Sequence, residues 1–562
     1  KGTAGFAASA LAISVGLALS SNAMANVDTD VASGVLRIAD TVTSTNSIRM
    51  GTGTTLDNAN KNVNSIAIGV NTQATSHYAT AIGEEALANG SDGALAIGRK
   101  ATAKAVSGPM AIGYDAVATG KSGLAQGYHA HADGQSSIAI GDNAKASGIA
   151  AVSVGYMANG HTVDVDKYNT PSTTKATYGV AVGHYAGADY VGTDNLRSTA
   201  LGNQAGRYGE GGIVNTAVGN LAGMYVKGSQ NVAVGNLAGS GDATNKLEAN
   251  NTVSIGTASK ASANHAAAMG TQAAASGANS AAIGLNSKAT TDSSIAIGTA
   301  SEAGGPATDP TLLGTKAIAI GYETKALGTS NVALGYGSVA ENGHDSVAIG
   351  VKAKTSNKKS TAIGAYSEAS GEQSTVISNN FDSKGGKPVS LASGRRSQIY
   401  GAETNVSGEQ SVAIGDKNTV TSDRTYAMGN NITTGAGAHD SLAFGTQTYV
   451  GNASAIAMGN AAKAVGKEQV SIGKNAGADS ANPEGNYYGV YIGSEAGRYQ
   501  QGDGRNYAIG QNAGQYVKGS SNIALGTNAG KGEAGKVIDA SSTIAIGRET
   551  KAAGYSGIAI GT

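Results

Sequence analysis

The 562-residue chain carries 39 basic and 39 acidic residues, so no net field draws it to nucleic acid or to an anionic membrane. It has 84 Gly, no Cys, no Trp and 3 Phe, and most of its apolar residues are Ala, Val and Ile. The missing Cys exclude disulfides, zinc–thiolate sites and thiol catalysis, and the shortage of large side chains excludes a thick globular core in favour of a thin, repetitive one.

In chain order, the first element is an apolar run, GFAASALAISVGLALSSNAMA, which follows Lys1 and closes on a small-x-small site at Ala23-Met24-Ala25. It reads as the remnant of a secretion signal over 1–25, too short and too broken by Ser and Gly for a spanning helix. An N-terminal lead-in and first coil occupy 26–60. From Asn64 onward the phrase NSIAIG and its variants recur about thirty times, each closed by a glycine, as at Gly69, Gly83, Gly98, Gly113 and Gly127. The commonest step is 14 residues, and a short period held over a whole chain means a solenoid.

Within one repeat, Ser65-Ile66-Ala67-Ile68 alternates as a strand does and Gly69 supplies the turn. This alternation is read with Ile66 and Ile68 toward the core and Ala67 on the opposite face. A second alternating run follows, as in Asn143-Ala144-Lys145-Ala146, with Ala144 and Ala146 inward and Lys145 toward water. Two short strands and two turns per repeat predict a flattened coil, and stacked coils build two parallel sheets. At ~4.8 Å per coil, thirty coils predict a rod of roughly 140 Å. A solvated strand would carry Thr, Lys or Glu at the position of Ala67. The small apolar residue there, repeated at Ala96, Ala139, Ala296, Ala413 and Ala545, is expected to pack against another copy of the chain.

The SIAIG-x-x-A-x-A-x-G unit, behind a secretion signal and without Cys, closely resembles the YadA-like heads of trimeric autotransporter adhesins over roughly Ser47 to Thr562. The resemblance implies an all-β, left-handed parallel β-roll of 14-residue coils assembled as a homotrimer. It further implies a non-enzymatic head displayed on the outer surface of a Gram-negative bacterium. Its partners would be host matrix proteins of the collagen, fibronectin or laminin class, host cells or other bacteria, with no cofactor. Family members continue into a coiled-coil stalk and a membrane β-barrel, neither of which is present, so a head fragment anchored through absent C-terminal parts is expected. In collagen-binding members the phrase NSVAIG is associated with the binding surface; Asn64 to Gly69 comes close, which makes Asn64 a candidate contact.

Plain repeats fill 61–182, and a variant module with longer coils and many Tyr fills 183–256. Plain repeats return over 257–472 with insertions near 299–316 and 379–397, and a second variant module with final coils runs over 473–562. The two modules are duplicates: AGRY at 205–208 recurs at 496–499, and YVKGSQN at 225–231 returns as YVKGSSN at 516–522. Their aromatic residues sit beside cations, the composition of binding surfaces. Arg207, Tyr208, Tyr225, Lys227, Arg498, Tyr499, Tyr516 and Lys518 are therefore candidate ligand contacts, the plain alternative being that the Tyr cap longer turns.

Sites of other kinds do not assemble. The eight His are scattered singly, and His129 with His131 has no partner at a metal-ligand spacing. Gly120-Lys121-Ser122 resembles the end of a phosphate loop, but Asp115 stands where that loop needs its first glycine. Hexapeptide acyltransferase helices do not fit a period of 14. Two other classes remain as alternatives to an adhesin: a β-helix enzyme acting on polysaccharide, and a purely structural spacer.

Overall fold

The computed structural model describes residues 27–31, 34–38, 47–56, 64–90, 92–158, 179–188, 197–210, 212–305, 315–378, 390–480, 487–502 and 504–562. The leader at 1–25, Tyr190 and most of the insertions at 161–178, 306–314 and 379–389 lie outside the described residues. Contacts divide the chain into two units, 1–214 and 215–562. Both are parallel β-solenoids, with about 32 turns between them and no helix among the described residues.

In the first unit, Val27–Val31 and Gly34–Ile38 pair as an antiparallel hairpin. The coils then begin at Ile48–Met50. Each coil contributes a three-residue strand, such as Ile66–Ile68, Thr80–Ile82 and Leu95–Ile97, paired in parallel and in register with the strands before and after it. A second ladder of seven two-residue strands runs from Thr55–Leu56 to Lys145–Ala146. The second unit repeats this plan. Its three-residue strands run from Thr216–Val218 to Ile558–Ile560. Its second ladder has 14 strands, from Lys260–Ala261 to Lys463–Ala464, and a three-stranded sheet, Val517–Lys518, Ile538–Ser541 and Gly554–Tyr555, lies later in the chain.

The direction of the pleat reverses the reading of SIAIG. Ala67, Ala96, Ala139, Ala296 and Ala413 have no exposed surface and Ala545 only 2%, although a single chain surrounds them. They fill the coil: Ala67, Ala96 and Ala139 cluster with second-ladder alanines such as Ala74, Ala88 and Ala103, and Ala296 with Ala261, Ala275 and Ala289. The six alanines are therefore core residues and have no surface left for a lateral contact. The larger residues beside them point away: Ile66 and Ile68 are only half-buried. Most coils are filled by alanine methyl groups with the Ile and Val of the phrase turned out, while a few, such as those of Val376 and of Ile399 with Val406, take branched side chains into the core. The second ladder matches its expectation, with Ala144 and Ala146 buried and Lys145 turned outward.

Polar ladders close the ends of this thin core. At the position four before the phrase glycine, buried serines bond the adjoining turn: Ser137 Oγ donates to Gly134 O at 2.7 Å and Ser280 Oγ to Gly277 O at 2.6 Å. Three residues after the glycine, Thr72 Oγ1 and Thr324 Oγ1 each donate to a phrase-glycine carbonyl of the next coil, Gly83 O and Gly335 O, at 2.6 Å. The phrase glycine is dictated twice over. Gly284 has φ of +128°, and a Cβ there would lie 2.6 Å from Gly298 O of the next coil.

Each plain coil also turns through two left-handed corners, five residues before and two after the phrase glycine. Asn64 (φ 65°) and Asn71 (φ 54°) flank Gly69 in this way. Asn tolerates that conformation better than most residues, and Asn71 N donates to Thr52 O of the preceding coil at 2.9 Å. Coil stacking thus holds corners that a lone turn would not keep.

Candidate functional site

Two surfaces stand out. The first is the outer face of the three-residue strands. In the first unit it carries Ile66 and Ile68, Leu95 and Ile97, Ile138 and Ile140, and Val152 and Val154. In the second it carries Ile295 and Ile297, Ile318 and Ile320, Val347 and Ile349, and Ile544 and Ile546. In-register pairing stacks these side chains in rows ~4.8 Å apart. Ile283 is 37% exposed, Leu334 41% and Ile377 42%. Scattered exposed apolar residues are ordinary, but contiguous apolar faces on a soluble chain mark contact surfaces.

The second surface is the line of corners, where aromatic rings of neighbouring coils meet. Tyr114 stacks on Tyr128 with centroids 5.2 Å apart, Tyr156 on His184 at 5.2 Å and Tyr322 on Tyr336 at 5.4 Å. In the first variant module, the Arg207 guanidinium lies 4.2 Å from the Tyr185 ring centre and 4.5 Å from that of Tyr208. In the second, Arg498 lies 4.5 Å from the Tyr499 ring and donates from Nε to Asp479 Oδ2 at 2.9 Å, while Tyr499 stacks on Tyr516. The fold therefore brings Arg498, Tyr499 and Tyr516 together, and joins Arg207 to Tyr208. Tyr225 is half-buried at a left-handed corner (φ 53°), as Tyr208, Tyr499 and Tyr516 are. Lys227 pairs with Glu248 at 2.9 Å, a hydrogen bond that holds the Glu248 carboxyl below its usual range, and Lys518 lies 3.9 Å from Asp539. Asn64 stands apart from all of these at its corner.

The variant modules differ from plain coils for a local reason. After the phrase glycine the chain makes a tight turn in place of a second strand, with glycines at Gly206 (φ +64°), Gly223 (φ +61°), Gly497 (φ +63°) and Gly514 (φ +59°). A Cβ at Gly223 would come 2.9 Å from the Ala217 Cβ, so only glycine lets the turn close over the core. The lengthened chain between coils then folds into loops. In one, Asp242 Oδ1 accepts from the Thr244 hydroxyl at 2.8 Å and from the Thr244 and Asn245 N–H groups, which pulls its carboxyl down to about 2.

Two features of these modules escaped the sequence reading. Asn231 and Asn522 occupy the position of the buried serines and build amide ladders through three coils. Asn522 N bonds Asn506 Oδ1 at 3.1 Å, Asn522 Nδ2 bonds Ala540 O at 2.7 Å, and Thr543 Oγ1 donates to Asn522 Oδ1 at 2.6 Å. Asn231, Asn215, Ala249 and Thr252 repeat the pattern. In addition, Tyr491 enters the core where other coils place Ala; its ring is fully buried against Gly489 and Gly497, and burial pushes its phenol well above the ordinary value of 10.0.

The geometry defines a thin parallel β-solenoid with an apolar strand face and aromatic corners. The family model of the YadA head domain repeat matches residues 61–86, 132–158, 248–273, 275–301, 313–340, 342–367, 356–377, 401–431 and 540–562. The chain is thus a YadA-like head domain, and its family is one of cell-surface adhesins of Gram-negative bacteria. No curated protein matches the chain. Among the described residues, no helix is long and apolar enough to cross a membrane.

Proposed function

We propose that this chain is the head of a homotrimeric surface adhesin, a left-handed β-roll that attaches a Gram-negative bacterium to host matrix proteins, host cells or other bacteria. The observation that carries the proposal is the apolar outer face of the three-residue strands, half-exposed in a single chain. Three copies turning this face to a shared axis remove it from water and add to each coil the burial that its alanine core lacks. The second ladder and the corners then face outward, where Arg207, Tyr208, Tyr225, Lys227, Arg498, Tyr499, Tyr516 and Lys518 are the contacts for collagen-, fibronectin- or laminin-class proteins. Asn64 joins the candidate contacts through the NSIAIG phrase alone. Many weak contacts along repeated coils give attachment through avidity, without catalysis.

Light scattering on residues 26–562 tests the assembly: three chain masses are expected, and a monomer at micromolar concentration overturns it. A binding array of matrix proteins and cells tests attachment, with Tyr208, Tyr225, Tyr499 and Tyr516 changed together to Ala. Loss of signal supports these contacts, and a head that binds nothing favours a spacer.

A further inference from the structure

Within the second unit, a groove of about 340 Å³ opens where the 14-strand second ladder meets the second variant module. Its floor is the outer face of three successive coils, with Thr433, Tyr449 and Lys463 in register. Two glycines shape it. A Cβ on Gly435 would lie 3.1 Å from Tyr449 Oη, and one on Gly451 would lie 3.1 Å from its Cε1. The tyrosine ring therefore lies over the ladder instead of standing up from it, half-buried, with Val465 of the next coil also in the lining.

The polar groups around the ring have unspent bonding capacity. The exposed Asn431 and Gln447, at equivalent corners of adjacent coils, line the groove, and their side-chain amides bond no described group. Lys463 and Asp479 face each other at 3.7 Å at one end, and Asp479 also pairs with Arg498, which pairs in turn with Glu495, so these two cations and two carboxylates cancel in charge.

We propose that this groove binds a neutral sugar ring of a glycan, the apolar face of the pyranose lying on Tyr449 and its hydroxyls bonded by the Asn431 and Gln447 amides. A flat aromatic ring takes the C–H face of a sugar, whereas a peptide would call for several apolar pockets. Amides both donate to and accept from hydroxyls. The cancelled charge disfavours sulfated or carboxylated chains, and the volume falls within the ~300–1,000 Å³ of small-ligand sites. The proposal rests on the adhesin reading only for the source of the glycan, a host or bacterial surface.

Saturation-transfer NMR on the intact chain tests it, with methyl glucoside, lactose and chitobiose as neutral probes and N-acetylneuraminic acid as the charged one. Transfer to the pyranose C–H protons of at least one neutral probe is expected. It should fall at least tenfold in Tyr449→Ala and in Gly451→Val, which fills the space beneath the ring, and persist in Tyr449→Phe. Unchanged circular dichroism keeps these variants interpretable. No transfer to any neutral probe, full transfer in Tyr449→Ala, or transfer to the charged probe alone overturns the proposal. Cell and matrix attachment separates the two readings: a head that attaches but takes no glycoside removes the sugar site alone, and one that takes a glycoside but attaches to no surface removes the adhesin reading alone.

Discussion

The ring of Tyr499 lies on that of Tyr516 one coil away, centroids 4.5 Å apart and planes 15° from parallel, and both residues hold a positive φ. Stacking of this kind contributes about 0.5–1.5 kcal/mol beyond area burial. A double-mutant cycle of Tyr499→Ala and Tyr516→Ala in urea denaturation should return a coupling in that range. Additive effects would mean that the two rings act only as separate surface groups.

Ala319 and Ile320 are adjacent, yet they serve different interfaces. Ala319 is fully buried in the coil and Ile320 is half-buried on its outer face. Ala319→Leu should overpack the coil and destabilise it by about 1–3 kcal/mol whatever the assembly state. Ile320→Asp should leave the circular dichroism of the coils intact while light scattering shows dissociation. If Ile320→Asp unfolds the coil and Ala319→Leu does not, the assignment of the two faces is inverted.

The alternation in SIAIG was legible, and so were the period, the turning glycine and the inward Ala144 and Ala146. Which side of SIAIG faces inward was not. A period of two defines two faces without naming either, and the usual guide, that the larger apolar residue goes inside, fails in a coil whose interior is filled mostly by alanine methyl groups. The duplicated modules were visible from AGRY and YVKGS, but Asn231 and Asn522 carry neither the aromatic nor the charged signal that marks a binding surface. A polar residue four before the glycine is read as surface until the coil shows that position to be interior, as Ser65 does at 0% exposure.

Those asparagines carry a prediction. Asn522→Ala removes the acceptor of the Thr543 hydroxyl and N–H and the Nδ2 donor to Ala540 O, leaving buried polar groups unpaired, while the residue-522 N–H still bonds Asn506 Oδ1. The expected cost is about 1–3 kcal/mol, read as a lower urea midpoint. Asn231→Ala should behave alike, since Thr252 depends on it in the same way. Ser at either position should restore part of the loss.

Tyr491 gives the fold a response to alkali. Its buried phenol stays neutral above its ordinary value of 10.0, whereas the unfolded chain loses that proton near pH 10. Its contribution is therefore complete below pH 10 and falls as the pH rises further, by up to about 1.4 kcal/mol per pH unit. Denaturation midpoints between pH 8 and 11 should fall less steeply in Tyr491→Phe than in the parent chain. Equal slopes would show that the phenol reaches water.

The phrase glycine, closed against the carbonyl of the next coil, fixes what kind of change the polypeptide can survive. Each described coil looks to the one before and the one after through a seam of phrase glycines, with Ser378 standing in the place of one of them. Removing the fourteen residues from Gly127 to Ile140 rejoins Gln126 to Gly141, like to like, whereas removing thirteen shifts every side chain after the cut to the opposite face. Heritable length variation in such a gene should therefore come in whole coils, and point changes should collect at the corners between them.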